Sequence, residues 1–232
     1  MTNHLQFTAN YTWAHSLDYG QNASTFSDTN DLLVPTDIRG EYGNSIFDVR
    51  NRFVASAVAE SPWHVRGIFG YFVNDWLLAP IYSSQSGLPY SLVTSGTPTF
   101  TTPQDASGTT ITYSGLGAGI NGSNGRKGID ILGRNTFRMK RTINMDLRLS
   151  KKVRFGERYA VELLGEAFNI FNHQNVTSVN NTGYIIGSTT DPTTKAVNAT
   201  LNFNSSFGSV NNSNSNFAYS PRQLQIGFRF LF

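Results

Sequence analysis

The chain has 232 residues, of which 14% are charged, and its formal net charge is only +3. It contains no cysteine, which excludes a disulfide framework and a thiol metal site. No run approaches the roughly 18 apolar residues of a membrane-spanning helix, and the mean hydropathy of −0.27 fits strands that are apolar on one face and joined by polar loops.

The first predicted strand covers residues 5–14, and a second follows at residues 53–60. In the first strand, apolar residues at every second position alternate with mostly polar ones, which predicts a strand with one apolar face. Residues 18–47 are rich in Asn, Ser, Thr and Asp and predict a long loop. Ser61-Pro62 ends the second strand.

A third strand is predicted at residues 76–83, after an irregular apolar stretch and a turn at Asn74-Asp75. This strand contains Pro80, which we expect at a bulge or on an edge strand because proline lacks the backbone donor of the ladder. Residues 86–135 predict another long loop, with short hairpin pieces at 91–94 and 110–113.

A fourth strand is predicted at residues 143–150, and a tight turn at 154–157 leads into residues 159–171. The apolar spacing of this last segment fits both a helix and a strand. Gly165 and the short turn favour a strand that forms a hairpin with the fourth. Residues 172–216 predict a polar loop.

The last eleven residues carry the most informative pattern in the chain. Leu224, Ile226, Phe228, Phe230 and Phe232 share one face, whereas mostly polar residues and Gly227 share the other. The length suits a tilted membrane-spanning strand of roughly 9–11 residues with its aromatic end at the interface. A soluble edge strand shows the same alternation, so a secreted β-sandwich that binds glycans through its loops stays open as an alternative.

The predicted connections alternate in length, because long loops follow the first, third and fifth strands. Outer-membrane barrels have this asymmetry, with short periplasmic turns and long extracellular loops. We therefore predict an all-β fold, an antiparallel meander of about six strands that is a partial segment of a transmembrane β-barrel. The edges should lie at the strands that contain Phe7 and Phe228. Since the smallest such barrels have about eight strands, either further strands lie in the loops of a small complete barrel or the chain is part of a larger one.

The alternation also predicts which side chains meet lipid and which line the lumen. We expect these residues on the lipid face: Leu5, Phe7, Tyr11, Met145, Leu147, Leu149, Ile226, Phe228 and Phe230. We expect these on the lumen face: Gln6, Asn10, Asp146, Arg148, Gln225 and Arg229. In a soluble sandwich the apolar set would instead pack against a second sheet.

Five segments resemble the C-terminal barrel of TonB-dependent outer-membrane receptors, above all the Oar-like group, whose precursors carry a carboxypeptidase-regulatory-like N-terminal domain. The segments cover nearly the whole chain in the same order, with variable loops between them. They lie at residues 41–54 (with Phe47-Asp48-Val49-Arg50-Asn51-Arg52), 84–90 (Ser84-Gln85-Ser86-Gly87-Leu88-Pro89-Tyr90), 144–158, 166–173 (Glu166-Ala167-Phe168-Asn169-Ile170-Phe171-Asn172-His173) and 221–228.

The resemblance implies an outer-membrane location and a barrel of about 22 strands that is plugged by an N-terminal domain and energised through a TonB box. Residues 1–232 would then be its C-terminal segment, without the plug, the TonB box or the earlier strands. Residues 1–7 show no basic region followed by an apolar block, which predicts that a signal peptide is also missing. We expect such a segment not to transport alone and to meet TonB only through the missing plug.

The terminal strand is also the predicted assembly signal. By resemblance, alternating aromatic residues that end in a terminal Phe are recognised by the barrel-assembly machinery, and a final strand can offer its backbone edge for β-augmentation. The residues of this predicted site are Leu224, Ile226, Gly227, Phe228, Phe230 and Phe232. The other predicted partner is outer-membrane lipid.

The titratable residues predict neither catalysis, nor a cofactor, nor a metal. His4, His15, His64 and His173 are far apart and lack metal-ligand spacing. The aspartates of the first long loop lack the D-x-D-x-D-G pattern of a calcium loop: Asp18, Asp28, Asp31, Asp37 and Asp48. We interpret Glu162 and Glu166 as lumen residues that contact Arg148 rather than as a catalytic pair.

Neither glycine-rich nor basic segments predict a ligand. The glycines between residues 115 and 128 are followed by no Lys-Ser or Lys-Thr pair and have no strand–helix context, so they do not predict a phosphate loop. The basic residues between 134 and 154 lack the interleaved stacking aromatics of a nucleic-acid surface. We therefore expect neither an enzyme nor a nucleic-acid partner.

Overall fold

The structure, a computed structural model, describes residues 4–20, 38–96, 99–101, 112–114, 132–156, 158–194, 197–215 and 219–232. Its main feature is one six-stranded antiparallel sheet, which we call the wall. The wall strands are β1 (Leu5–Trp13), β2 (Asn51–Glu60), β3 (Trp76–Gln85), β4 (Thr142–Phe155), β5 (Tyr159–Phe168) and β6 (Gln223–Leu231).

The wall strands lie side by side in sequence order, from β1 at one edge to β6 at the other. This confirms the predicted meander and both predicted edges. The ambiguous fifth segment is a strand, because Tyr159–Phe168 pairs with β4 on one side and β6 on the other. It ends at Phe168, because the next residue, Asn169, has a φ of +48° and is outside the extended region.

Strand β4 is longer than predicted, since it continues to Phe155, which pairs with Tyr159. The prediction that the turn begins at Arg154 is therefore wrong. The chain reverses at Gly156, whose φ of +71° is a conformation that glycine adopts without steric cost.

Pro80 lies in an interior strand and not at a bulge, so that expectation is also wrong. Strand β3 pairs with β2 through Ser56 and Ile81 and again through Ala59 and Leu78, and the register is the same on both sides of Pro80. The pairing with β2 is interrupted only opposite Ala79 and Pro80. The missing N–H of proline leaves a local gap in the hydrogen-bond ladder, but it does not shift the register of the two strands.

The connections confirm the predicted asymmetry. At one end of the wall lie residues 61–75, which contain a single helical turn at Gly70–Val73, and the tight turn after Phe155. We call this the short-turn end. The described parts of the connections 14–50, 86–141 and 169–222 all lie at the other end, and we call them the loop layer. Within the described ranges, no helix is long and apolar enough to cross a membrane.

The loop layer contains short strands, several of them in residues 172–216, which were predicted only as a polar loop. The predicted hairpin piece at 91–94 overlaps Val93–Ser95, which pairs in parallel with Thr182–Thr190 and so forms no hairpin with it. The piece at 110–113 overlaps Thr112–Ser114, which pairs antiparallel with Thr99–Thr101, while residues 110 and 111 lie outside the described residues. The elements are Leu17–Asp18 with Gly43–Asn44; Pro89–Tyr90 with Phe137–Arg138; Val93–Ser95 beside Thr182–Thr190 and Val197–Phe203; Thr99–Thr101 with Thr112–Ser114; Val176–Val179 with Val210–Ser213; and a 3-10 turn at Ile38–Glu41.

The described residues hold almost no apolar core. Their buried hydrophobic side chains are only Leu92, Ala160, Val176 and Ile186. The side chains that are most completely buried, below 2% exposure, are instead polar: Asn169, Asn175, Thr94 and Asp48. A water-soluble domain of this length would bury a contiguous set of large apolar residues.

Candidate functional site

Strand register divides the wall into two faces of opposite chemistry. The face that carries Phe7 in β1 carries Leu149 in β4 and Ile226 in β6, and we call it the apolar face. Its side chains are strongly exposed: 67% for Phe7, 89% for Ile226 and 80% for Phe228. The sandwich alternative requires a second sheet packed against this face. Among the described elements, no second sheet pairs with or extends over this wall.

All nine residues predicted to face lipid lie on the apolar face. Seven of them are among the exposed large hydrophobic residues, and the other two, Met145 and Leu147, are half-buried. The six residues predicted for the lumen lie on the opposite side, which we call the polar face. The polar face also carries apolar residues that the prediction omitted, such as Ile81, which is 50% exposed.

The polar face is crossed by two ion pairs between neighbouring strands. Arg148 Nε lies 3.6 Å from Glu166 Oε1, and Arg229 Nη1 lies 3.5 Å from Glu162 Oε2. The predicted contact between Glu166 and Arg148 is thus confirmed. The predicted contact between Glu162 and Arg148 is wrong, because the β5–β6 register places Glu162 opposite Arg229.

Five of the six predicted assembly-signal residues project together from β6 and the chain end. Leu224, Ile226, Phe228, Phe230 and Phe232 are all at least 54% exposed on the apolar face. Gly227 lies on the polar face opposite Leu164, and a Cβ added there would be 3.9 Å from the Leu164 side chain, an ordinary contact. Among the described residues, no neighbour approaches Gly227 closely.

Aromatic rings cluster where the apolar face meets the short-turn end. The ring centroids of Tyr159 and Phe230 are 6.1 Å apart, and those of Phe230 and Phe232 are also 6.1 Å apart. Such rings mark the boundary between hydrocarbon and water in membrane barrels. Lys151 is the one charged residue on the apolar face of the described wall, and its ammonium lies 5.5 Å from the centre of the Trp76 ring.

The loop layer is organised around Asp48, whose side chain is fully buried. Its carboxylate accepts a hydrogen bond from the Ser16 N–H at 2.8 Å and from Arg50 Nε at 2.9 Å, and it pairs with Arg138 Nη2. Arg138 Nη1 also donates to the Asp48 carbonyl at 2.8 Å. Asp48 therefore joins the loop after β1 to the loop after β3.

Asp48 stays ionised in this environment. Burial by itself raises the pKa of its carboxyl, but the Ser16 N–H and the two guanidinium groups outweigh that effect and bring the pKa below its ordinary value. Asp18 behaves in the same way: burial raises the pKa of its carboxyl, and hydrogen bonds from Ser45, the Gly20 N–H and Arg134 lower it further than burial raises it.

Arg134 forms a second link between the same two loops. Its guanidinium is 7% exposed, pairs with the Asp18 carboxylate and donates through Nε to the Glu41 carbonyl at 2.9 Å. Because arginines occupy the Asp18 and Asp48 carboxylates, neither is arranged as a calcium ligand. No group of three or more metal-ligating side chains occurs among the described residues.

Buried asparagines join the third loop to the wall. The Asn175 side chain accepts from the Ile143 N–H at 2.7 Å and donates to the Ile143 carbonyl at 2.9 Å, as a neighbouring strand would. Asn169 donates its own N–H to Asp146 Oδ1 and its side-chain amide to the carbonyls of His173 and Ser220. These amides satisfy backbone groups at the place where the wall ladder ends.

The contacts of these residues were not predicted from the sequence, although four of the residues, three in the loop layer and one in β4, lie in segments that carry the family resemblance. Asp48, Arg50, Asp146 and Asn169 all belong to those segments. The available signal was that these polar residues lie a few residues before the second predicted strand or inside the fourth and fifth predicted segments. Their partners lie up to 90 residues away in the chain, as between Arg138 and Asp48, and no local pattern identifies them.

Comparison with known proteins agrees with this architecture. A family model described as an outer membrane beta barrel domain matches residues 1–225. No curated protein and no solved structure matches the chain. Since the family match covers nearly all of the wall, the chain belongs to the outer membrane beta barrel domain family.

Proposed function

We propose that this chain forms the C-terminal wall segment of a TonB-dependent outer-membrane receptor of the Oar-like group. The observation that carries the proposal is a two-faced sheet whose edge strands, β1 and β6, each have one partner strand among the described residues. An unpaired strand edge in hydrocarbon leaves backbone groups without hydrogen bonds. A larger barrel would supply the missing partners on both sides.

The loop layer supports a receptor function rather than a simple pore. Its described parts are tied to each other and to the wall by buried side chains at Asp48, Arg134 and Asn175. A tied loop base can hold variable loop tips in a fixed arrangement, and binding residues are commonly placed on loops held by a rigid scaffold. In this proposal the polar face lines the lumen, and the chain has no catalytic role and no cofactor.

The proposal is tested by refolding this chain alone and together with the strands that precede it in the full-length protein. Closed barrels resist unfolding by detergent at room temperature and change electrophoretic mobility on heating. We expect that change only when the preceding strands are present. A heat-sensitive closed barrel formed by residues 1–232 alone would contradict the proposal and favour the small complete barrel.

The TonB dependence is tested separately in the full-length receptor. Crosslinking to the periplasmic domain of TonB should require the N-terminal plug and should be lost when only this chain is expressed. Crosslinking that persists without the plug would contradict the proposed division of roles.

We also propose that β6 and Phe232 are recognised by the barrel-assembly machinery. The exposed edge of β6 is available for β-augmentation, and Phe232, which is 90% exposed, extends the apolar face beyond it. Deletion of Phe232, or Phe232→Asp, should reduce outer-membrane insertion of the full-length precursor and leave periplasmic aggregates. Leu231→Gln, on the polar face, is the matched control. Normal insertion of the deletion variant would show that the strand is only part of the wall.

A further inference from the structure

The connection between β2 and β3 has an unusually apolar surface. Between residues 61 and 75 the large side chains are more than half exposed: Trp63 58%, Ile68 75%, Phe69 76%, Tyr71 51% and Phe72 70%. A turn that faces only water has no physical reason to display such a cluster, and contiguous exposed apolar surface marks contact with a membrane or a partner.

This connection is held in place against the wall. The Asn74 side chain accepts from the Val65 N–H and donates to the Val65 carbonyl, each at 2.8 Å. Trp76 Nε1 donates to the Phe72 carbonyl at 2.7 Å, and the Lys152 N–H donates to the Asp75 carbonyl at 3.1 Å. The aromatic cluster is therefore presented in a fixed position at the short-turn end.

A depression of about 470 Å³ lies between the connection and the apolar face. Its rim includes Tyr71, Phe72, Leu149 and Ile226, and Gly165 lies within it. A Cβ added to Gly165 would find only the Leu149 carbonyl oxygen within 4 Å, at 3.8 Å. The absence of a side chain at Gly165 therefore keeps this part of the apolar face open.

A cationic groove of about 310 Å³ adjoins the depression and shares Tyr71 and Val153 with it. The groove is lined by Lys152, Arg154 and Asp75, and Arg154 Nη2 lies 3.2 Å from Asp75 Oδ1. By register, Lys152 and Arg154 leave β4 toward the polar face, whereas Val153 leaves it toward the apolar face, so the groove lies across the short-turn end of the sheet. Two cations and one carboxylate line the groove, which leaves it net positive. Lys151, on the rim of the depression, adds another cation and donates to the Asn74 carbonyl.

We propose that the depression and the groove together bind one phospholipid of the bilayer, with an acyl chain over Gly165 and the phosphate in the groove. The depression is continuous with the apolar face that meets lipid, and the cations beside it complement a phosphate, which accepts charge-assisted hydrogen bonds. The exposed aromatic cluster then rests in the interface beside the bound headgroup. This site depends on the membrane wall and not on the proposed receptor role.

The test measures quenching of Trp76 fluorescence by phosphatidylglycerol with brominated acyl chains. It uses the full-length protein with Trp13→Phe and Trp63→Phe, and with any tryptophan outside this chain replaced as well, in phosphatidylcholine vesicles. Trp76 quenching should saturate at a low fraction of the brominated lipid. Gly165→Leu should require roughly tenfold more brominated lipid for the same quenching, because the added side chain displaces about two acyl CH₂ groups from the depression.

Ala167→Leu is the matched control, because it places the same leucine side chain on the same face of β5 outside the depression. It should leave the quenching curve unchanged. Lys152→Gln with Arg154→Gln should weaken the response to phosphatidylglycerol without filling the depression. Identical curves for the parent, Gly165→Leu and the charge variant would overturn the proposal in favour of bulk lipid contact. A concentration-dependent dimer lost in Gly165→Leu would overturn it in favour of a second copy of the chain.

Discussion

The largest exposed side chains of the wall are apolar, whereas the most deeply buried side chains of the loop layer are polar. Phe228 on the apolar face is 80% exposed, and Asn175 in the loop layer is 0% exposed. The wall is held by its backbone ladder, and its apolar face is left exposed by the described residues. The loop layer is held by specific side chains that reach across from one loop to another.

This contrast predicts different weak points. In the loop layer a single polar group can serve three partners, as the Asp48 carboxylate does, so that its loss leaves several groups unsatisfied. In the wall each side chain contributes separately to stability. A substitution there changes stability mainly according to the environment that its face of the sheet meets. Substitutions of matched chemistry in the two regions test this comparison.

The largest expected effect is that of Asp48→Asn. The amide keeps the shape but removes the charge that neutralises Arg50 and Arg138, and loss of one partner from a buried ion pair costs roughly 3–5 kcal/mol. Limited trypsin digestion should then cleave after these two arginines while the wall stays intact. Asp191→Asn, in an exposed turn where the carboxylate accepts from the Thr193 and Thr194 N–H groups, should leave the pattern of fragments unchanged.

If Asp48→Asn and Asp191→Asn are digested at the same rate, the buried cluster does not organise the loops. A loss of the wall together with the loops would also contradict the comparison, because it would show that the two regions fold as one cooperative unit.

The next effect concerns the wall. Phe228→Arg places a charge on the apolar face and should lower the free energy of unfolding in phospholipid vesicles by roughly 2–4 kcal/mol if the site lies near the bilayer midplane. Leu147→Arg should behave similarly. Gln225→Arg, in the same strand β6, points to the polar face and should change the free energy of unfolding little. Equal costs for Phe228→Arg and Gln225→Arg would mean that the two faces of β6 do not differ in environment.

Much of the wall was predictable because period-two alternation encodes strand position and face together. The outward direction of Phe7, Leu149 and Ile226 followed from their odd or even position in the strand. The meander followed from the loop lengths. The pairing of Glu162 with Arg229 was not predictable, since it needs the β5–β6 register, and nothing in the sequence fixes that register to one residue. The Asp48 and Asn175 contacts depend on loop paths that no periodicity describes.

Acid should loosen the loop layer before the wall. The pKa of Asp48 and that of Asp18 are lower in the folded chain than in the unfolded one, so their stabilisation is present above the ordinary carboxyl pKa and is lost as pH falls through the folded values. Hydrogen exchange of the Ser16 amide, which donates to Asp48, should accelerate in that acidic window relative to its intrinsic rate. The Asn214 amide, which donates to the Asn175 carbonyl at 2.9 Å, is the control. Parallel loss of protection at both amides would contradict the prediction.

The smallest expected effect is that of the ion pair between Glu162 and Arg229 on the polar face. The two groups are 3.5 Å apart, but the Arg229 side chain is 59% exposed while that of Glu162 is 17% exposed. Water and salt in the lumen screen such a pair, so a double-mutant cycle with Glu162→Gln and Arg229→Gln should give a coupling energy of roughly 0.2–1 kcal/mol that falls at high salt. This pair contrasts with the Asp48 cluster, where removal of the buried carboxylate leaves two guanidinium groups without their counter-charge. A coupling energy as large as the cost of Asp48→Asn would mean that the polar face excludes water, and the lumen beside β5 and β6 would then have to be filled by protein rather than by solvent.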